Sequence, residues 1–551
     1  MTPVHRRPRI PSLPSFPSFP SFPPFLSFAP AARLPRVVTV SLPLAAATVL
    51  AHGLTGCAGP DKAAGAPDTG SYYEQSVSWK PCAQERDRDV DRETDKADTR
   101  AECGWLKVPY TYADPRKGEL RLAVMRYRAP DQDHRAGSLV LNFGGPGESG
   151  LKQLTAYGPD GFSKAGTRYD LVTFDPRGVG ASSPVRCDEG RDPRRTGADG
   201  TSRAGMADYL AAQEKALKHC RTEPGSALPY IGTVNTARDL DVLRAALDED
   251  RLHYLGYSYG SRLGAVYAHH FPGKVGRMVM DGVDEPAPDM KETTLAQTAA
   301  YHKALRHAVD TCTRKGDEDC VLGSDTDEAM EDIEEAFDDL DDEPRDWPDG
   351  RRLDRDTAVA ETMGLLRSRA GLPEVPNLLA ALVHHVRPGE SATMARAAAE
   401  RADGKGTDGR YDNSDDALTA INCADTAGRY RTEEVLDAFD DYVRASPVFG
   451  PSMASGMALC TGWPGAGDDA ARDVGAPGAP KILMHTSEYD PATPVGWLPR
   501  MARAVGPAAV TMTDPGGGHS VYGSPDAACV NERIDGFLLD GTLPKDGTRC
   551  T

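Results

Sequence analysis

Gly256-Tyr257-Ser258-Tyr259-Gly260 fits the pattern G-x-S-x-G. In this pattern the serine sits on a strained turn between a strand and a helix, so that its hydroxyl projects. The residues two before and two after it must be small to let the backbones approach. A serine hydroxyl is a poor nucleophile until a base takes its proton. The pattern therefore asks for a histidine, and for a carboxylate to orient that histidine. The chain has 13 histidines. His519 stands in the glycine-rich run DPGGGHSVY, after the last strand-like segment, where an imidazole can reach back over a sheet. His253 and His485 lie inside strand-like runs and are expected in the core, while His269 and His270 fall on the helix after Ser258. Asp490, in the loop SEYDPATP, is the preferred carboxylate, and Glu488 and Asp514 are its competitors. Thr493-Pro494 looks like a capped helix start that would fix the Asp490 side chain. The order serine, acid, histidine is one in which this constellation recurs.

A second element of the same chemistry precedes it. Asn142-Phe143-Gly144-Gly145-Pro146-Gly147 closes a short apolar run, and such a turn can aim backbone N–H groups at a developing oxyanion. The Gly145 and Tyr259 N–H groups are the expected donors. The implied reaction is acyl transfer through Ser258, on a peptide or on an ester, with no metal or cofactor. Nucleotide motifs and C-x-x-C pairs are lacking, and the run DGKGTDG from Asp403 reads as a loop.

These residues need a scaffold. From about Leu120, short apolar runs alternate with helical spacing: RLAVMRYRA, SLVLNF, YDLVTFD, RLHYLGY, KVGRMVMDG, KILMHT and AAVTMT as strands, with helices over about Ala204–Cys220, Asn235–Leu247, SRLGAVYAHHF and NERIDGFLL. That alternation predicts an α/β chain with a mostly parallel sheet and helices on both faces, and the G-x-S-x-G elbow set within it makes the α/β-hydrolase fold the expected one. From Glu285 to Gly475 the strand pattern vanishes and helical periodicity takes over, as in a cap inserted into the sheet domain. Within it, DTDEAMEDIEEAFDDLDDE reads as a solvated amphipathic helix. The predicted organisation is a signal peptide over 1–56, a tether over 57–75, the first part of the sheet domain over 76–284, the helical cap over 285–475 and the rest of the sheet domain over 476–551.

The chain has 551 residues, 39% of them hydrophobic, ample for a large core plus an insertion. A net charge of −19 opposes binding to phosphate backbones, so a nucleic-acid partner is not expected. The chain is expected to act as a monomer. Near the N-terminus, VVTVSLPLAAATVLAHGL follows Arg33 and Arg36 and ends in Leu54-Thr55-Gly56-Cys57. This reads as an export signal with a lipobox, Cys57 being the lipid-attachment site and the membrane a partner through that lipid. Eleven cysteines are present. With Cys57 acylated, an even set remains: Cys82, Cys103, Cys187, Cys220, Cys312, Cys320, Cys423, Cys460, Cys529 and Cys550. In an exported chain these are expected as disulfides. Sequence alone leaves the connectivity open, and pairing of neighbours is the simplest arrangement.

GGPG after a strand, DPRGVG after the next, GYSYGSRLGAVYA, DPATP and GGGHS together resemble the tripeptidyl aminopeptidase group. These are exported actinobacterial serine peptidases related to prolyl aminopeptidases. The similarity runs from about Trp79 to Cys550 and is least distinct in the cap. The lipobox is similar to that of the membrane-anchored, mycelium-associated members. The resemblance implies a triad of Ser258, Asp490 and His519, and release of short peptides, often tripeptides, from free N-termini. It also implies disulfides around the GGPG-containing half and between Cys423 and Cys460. One departure concerns GGPGGSG, in which Glu148 here replaces a glycine. That carboxylate either faces solvent or helps to bind a cationic amino terminus. Asp425, in AINCAD of the cap, is the other candidate for that task.

Overall fold

The computed structural model describes residues 69–85, 100–162, 164–187, 199–222, 225, 227–286, 289–316, 320–346, 352–384 and 412–551. The signal peptide, Cys57, most of the tether and the run from Asp403 lie outside them. Ten strands form one sheet: β1 (Lys80–Pro81), β2 (Ala101–Pro109), β3 (Glu119–Tyr127), β4 (Ser138–Asn142), β5 (Asp170–Phe174), β6 (Leu252–Tyr257), β7 (Val275–Asp281), β8 (Ile482–Tyr489), β9 (Ala509–Gly517) and β10 (Thr548–Arg549). Their spatial order is β1-β2-β3-β5-β4-β6-β7-β8-β9-β10. The strands from β4 to β10 run parallel, and β1, β2 and β3 add an antiparallel flank.

Every residue of β4 and β5 is buried, as required of parallel strands covered on both faces. Alternate side chains go to opposite sides. Val140, Tyr254, Met280 and Met484 join one apolar cluster, and Leu139, Leu141, Leu255, Val279 and Leu483 the other. The longer helices of the sheet domain are α1 (Gly150–Tyr157), α2 (Met206–Leu217), α3 (Thr233–Ala246) and α4 (Tyr259–His270). The α/β-hydrolase fold read from the sequence is the fold of the chain. Strand β2 was not expected. Its apolar alternation is broken by Gly104 and Lys107, yet it pairs with β3 along its whole length, from Ala101 opposite Tyr127 to Pro109 opposite Glu119. The stretch expected as tether also ends earlier than predicted. Gly70–Tyr73 is a helical turn, and Tyr72 and Tyr73 pack against the core.

Between β7 and β8 lies a helical insertion: α5 (Met290–Thr313), α6 (Thr326–Asp342), α7 (Arg355–Arg367), α8 (Val375–Val383), α9 (Ser414–Asp425) and α10 (Thr432–Ala445). It has its own core, with Leu305, Phe337, Leu366, Leu379 and Phe449 buried together. The acidic α6 buries Met330, Ile333, Phe337 and Leu340 and turns most of its carboxylates outward. After the insertion, α11 (Trp497–Val505) and α12 (Ala528–Asp540) complete the sheet domain. The ten cysteines pair as neighbours: Cys82–Cys103, Cys187–Cys220, Cys312–Cys320, Cys423–Cys460 and Cys529–Cys550.

The DPRG loop after β5 is a structural clamp. Arg177 is fully buried and ion-paired with Asp239 of α3, and its remaining donors reach the carbonyls of Pro109, Tyr110 and Tyr230. Asp175 accepts from the Ser149 hydroxyl and from the Leu151 and Ala181 N–H groups, which ties the loop to the start of α1. Arg177→Met leaves Asp239 buried without its cation. We expect a loss of about 3–5 kcal/mol of stability, read as a lower urea midpoint, with partial recovery when Asp239→Leu is added.

Candidate active site

Ser258 joins β6 to α4 in the conformation φ 55°, ψ −124°. A non-glycine residue there stores strain of order 1–3 kcal/mol, which persists only where the surroundings over-determine it. They do so here. A methyl group on Gly256 would fall 2.3 Å from the Gly260 carbonyl oxygen, and one on Gly260 would fall 2.6 Å from that of Asn142. Both elbow glycines are therefore dictated by backbone-to-backbone contact. The Ser258 N–H donates to the Asp281 carbonyl at 2.9 Å, and the Ser258 carbonyl accepts from the Ser261 N–H and hydroxyl at 2.8 and 2.6 Å. The serine itself stays half-buried.

His519 follows β9. Its Nδ1 lies 3.0 and 2.9 Å from the two carboxylate oxygens of Asp490, which is 2% exposed. Its Nε2 is buried and has no hydrogen-bond partner among the described residues. Asp490 thus fixes Nδ1–H as the donor and leaves Nε2 as the free base position. The ring lies beside the end of β7, since a methyl on Gly282 would come within 3.0 Å of its Cε1. Ser258 is bonded to the residue next to that glycine. The capped helix expected at Thr493-Pro494 does not form there; α11 starts only at Trp497, behind Gly496. The Asp490 carboxylate is held instead by a local turn. The Ala492 and Thr493 N–H groups donate to its Oδ1 at 2.9 and 2.8 Å, and the Thr493 hydroxyl donates to Oδ2 at 2.9 Å. The same hydroxyl lies 3.3 Å from His519 Nδ1, a contact across 26 residues of chain that no local pattern signals.

The competing acids are committed elsewhere. Glu488 is paired with Arg549 near the surface. Asp514 bonds His485 and Ser487 and pairs with Arg369; although burial opposes ionisation, these donors hold its carboxyl far below the usual range. His253 is in strand β6, and burial pushes its imidazole down to about 4.

The glycine turn after β4 lies over the serine. A methyl on Gly144 would sit 2.9 Å from Ser258 Cβ and 3.3 Å from the Tyr259 nitrogen. Gly144 N–H is occupied by the Asn142 side chain, whereas the Gly145 and Tyr259 N–H groups donate to no acceptor among the described residues. The latter two are free for an oxyanion. Glu148 is half-buried beside this turn and accepts from the Gln153 side chain at 2.9 Å. Asp425 is placed differently from the expectation. It is buried, and its two oxygens accept from the Thr233 N–H and hydroxyl at the start of α3, pinning the cap helix α9 to the sheet domain. Burial pushes its carboxyl up.

Comparison with known proteins places these motifs in context. Residues 137–321 match the model of the alpha/beta hydrolase fold, and residues 446–550 that of TAP-like proteins. The chain is 32% identical to serine protease Hip1 of Mycobacterium tuberculosis over 86% of its own length and 91% of that protein. It is 31% identical to a tripeptidyl aminopeptidase of Streptomyces lividans, over 82% of this chain and 83% of the relative. Carboxylesterase B of Mycobacterium tuberculosis is 32% identical over 92% and 95%.

His519→Ala and Asp490→Asn should each lower turnover by about 10⁴-fold, the first by removing the base and the second by releasing the wrong tautomer. Glu488→Gln should keep wild-type turnover. Steady-state kinetics with circular dichroism as a folding control checks all three, and full activity in Asp490→Asn would remove Asp490 from the triad.

Proposed function

This chain belongs to the family of α/β-hydrolase serine hydrolases that includes tripeptidyl aminopeptidases and serine protease Hip1, and from that premise we propose that it is an exported exopeptidase. In this reading Ser258 attacks the scissile carbonyl while His519 Nε2 takes its proton. The Gly145 and Tyr259 N–H groups receive the oxyanion; as it collapses the scissile C–N bond breaks and His519 passes the proton to the departing amine, and the acyl-enzyme is then hydrolysed by water activated in the same way. The product is a short peptide, three residues being the favoured length, released from a free N-terminus.

The observation that carries the preference for a chain end is the contact between the cap and the loop of the base. His519 N–H donates to the Arg367 carbonyl at 2.8 Å, so the insertion closes directly on the triad. Such a roof favours a free chain end over the middle of a folded protein. An ammonium entering it needs a carboxylate partner to offset desolvation. Glu148, beside the oxyanion turn, is our candidate for that partner. Attachment to the outer face of the membrane through a diacylglycerol on Cys57 is part of the same proposal, and mass spectrometry of the mature N-terminus tests it.

A tripeptide p-nitroanilide with a free amino group should be cleaved with a kcat/KM about 100-fold or more above its N-acetyl form, because acetylation leaves the site's carboxylate unpaired. Glu148→Gln should raise KM for the free peptide alone. Equal rates on free and acetylated substrates would overturn the aminopeptidase reading. Turnover confined to p-nitrophenyl esters would reassign the enzyme as a carboxylesterase with the same triad.

A further inference from the structure

Behind the triad, β7, β8 and β9 carry buried charged groups that acyl transfer does not itself require. His485 on β8 is completely buried. Its Nδ1 lies 2.6 Å from Asp281 Oδ1 on β7, and its Nε2 lies 3.1 Å from Asp514 Oδ2 on β9. Asp514 in turn pairs with Arg369 of the cap, in the helical turn that follows α7, and accepts from the Ser487 hydroxyl and the Gly516 N–H. Both ring nitrogens of His485 therefore face carboxylates. A neutral imidazole has one N–H and would present a lone pair to the second carboxylate, whereas the imidazolium donates to both. Burial alone would push this imidazole down, but the two carboxylates override it and raise it to about 9. Asp281, His485, Asp514 and Arg369 then form a line of alternating charge with no net charge.

Both ends of the line hold the reacting residues. The Asp281 carbonyl accepts from the Ser258 N–H at 2.9 Å and the Ser520 hydroxyl at 3.0 Å, and its Oδ2 accepts from the Tyr522 N–H at 2.8 Å. The His485 carbonyl accepts from Gly282 N–H, the residue that abuts the His519 ring. At the other end, Arg369 Nε donates to the Gly517 carbonyl at 2.9 Å, and the Arg367 carbonyl receives the His519 N–H. Gly516 and Gly518 both abut Arg369. A methyl on Gly516 would fall 2.1 Å from Arg369 Nη2, and one on Gly518 would fall 3.0 Å from the Arg369 backbone.

We propose that His485 is a positioning residue of the hydrolytic reaction: a buried imidazolium that, with Asp281, Asp514 and Arg369, locks the Ser258 turn, the His519 loop and cap residues 367–369 into one reactive geometry. It rests on the assignment of Ser258 and His519 as reacting groups. The other titratable groups near the line are Tyr257, Tyr522 and Tyr157, close to Asp281 and kept protonated by desolvation, and Glu488, close to Asp514 and paired with Arg549. The sign of the pH effect follows. The raised value means the lock is intact below about pH 9. Above it the proton leaves and one carboxylate faces a lone pair, so the lock loosens.

The test is the rate of fluorophosphonate labelling from pH 6 to 10, a probe with no amino group of its own to titrate, with the labelled serine mapped by mass spectrometry. The folded wild-type protein should label at Ser258 and slow reversibly above about pH 9. His485→Gln should label roughly 10- to 100-fold more slowly at neutral pH, as a misplaced catalytic group does, and should show no alkaline fall. In Arg369→Met the loss of the cation strengthens the hold of Asp514 on the proton, so the fall should move to higher pH; this variant decides the matter if His485→Gln does not fold. A wild-type rate and an unchanged alkaline fall in His485→Gln, or an unmoved fall in Arg369→Met, would overturn the proposal. Labelling of a serine other than Ser258 in the wild type would overturn the triad first and this proposal with it.

Discussion

The carbonyl oxygen of Asp281 receives both the backbone N–H of Ser258 and the hydroxyl of Ser520. Each of these donors belongs to a non-glycine residue with positive φ, 55° at Ser258 and 56° at Ser520. Neither conformation is favourable by itself. One acceptor at the end of β7 thus holds the turn that presents the serine and the turn that follows the histidine. The position of that acceptor is set by the parallel pairing of β7 with β6 on one side and β8 on the other. The relative placement of Ser258 and the His519 loop is therefore a property of the sheet, and the loops inherit it.

The insertion between β7 and β8 is continuous with this arrangement. It contributes Arg367 and Arg369 to the loop of His519 and Asp425 to the start of α3, so it touches the sheet domain through backbone carbonyls and buried charges as well as through apolar packing. Such contacts are directional and cannot slide as an apolar face can. The five disulfides reinforce local excursions: each bridges cysteines adjacent in the chain's cysteine order, and the longest separation is 37 residues. They restrict the unfolded chain rather than link distant parts of the fold.

The relatives carry names of both peptidases and an esterase at similar identity. This is physically reasonable. In serine hydrolases the triad and the oxyanion donors act on the acyl group, which peptides and esters share. Discrimination must come from what surrounds the acyl group, and against Ser258 the structure packs the glycine turn after β4.

The candidate reacting groups are legible in the sequence, because their signals are local. G-x-S-x-G reports a close approach of Gly256 and Gly260 that no larger residue allows, and the buried runs SLVLN and DLVTF report strands covered on both faces. The positions of Ser258, Asp490 and His519 in a serine–acid–histidine order followed from the same local signals. What the sequence placed wrongly, or did not place, depended on partners far along the chain. Thr493 was read as the cap of a helix, but its hydroxyl and N–H serve Asp490, three residues back, because His519 arrives from another strand and requires that carboxylate to be fixed. Asp425 is by sequence one candidate partner for a substrate ammonium, and only the docking of the cap gives its oxygens to Thr233. His485 was read as core, which is correct for its burial, yet its charge arises from Asp281 and Asp514, 204 residues before it and 29 after it. A residue's type and neighbours set what it can do; a buried charge is decided by which groups the tertiary fold brings within hydrogen-bond distance, and that information is not local in the chain.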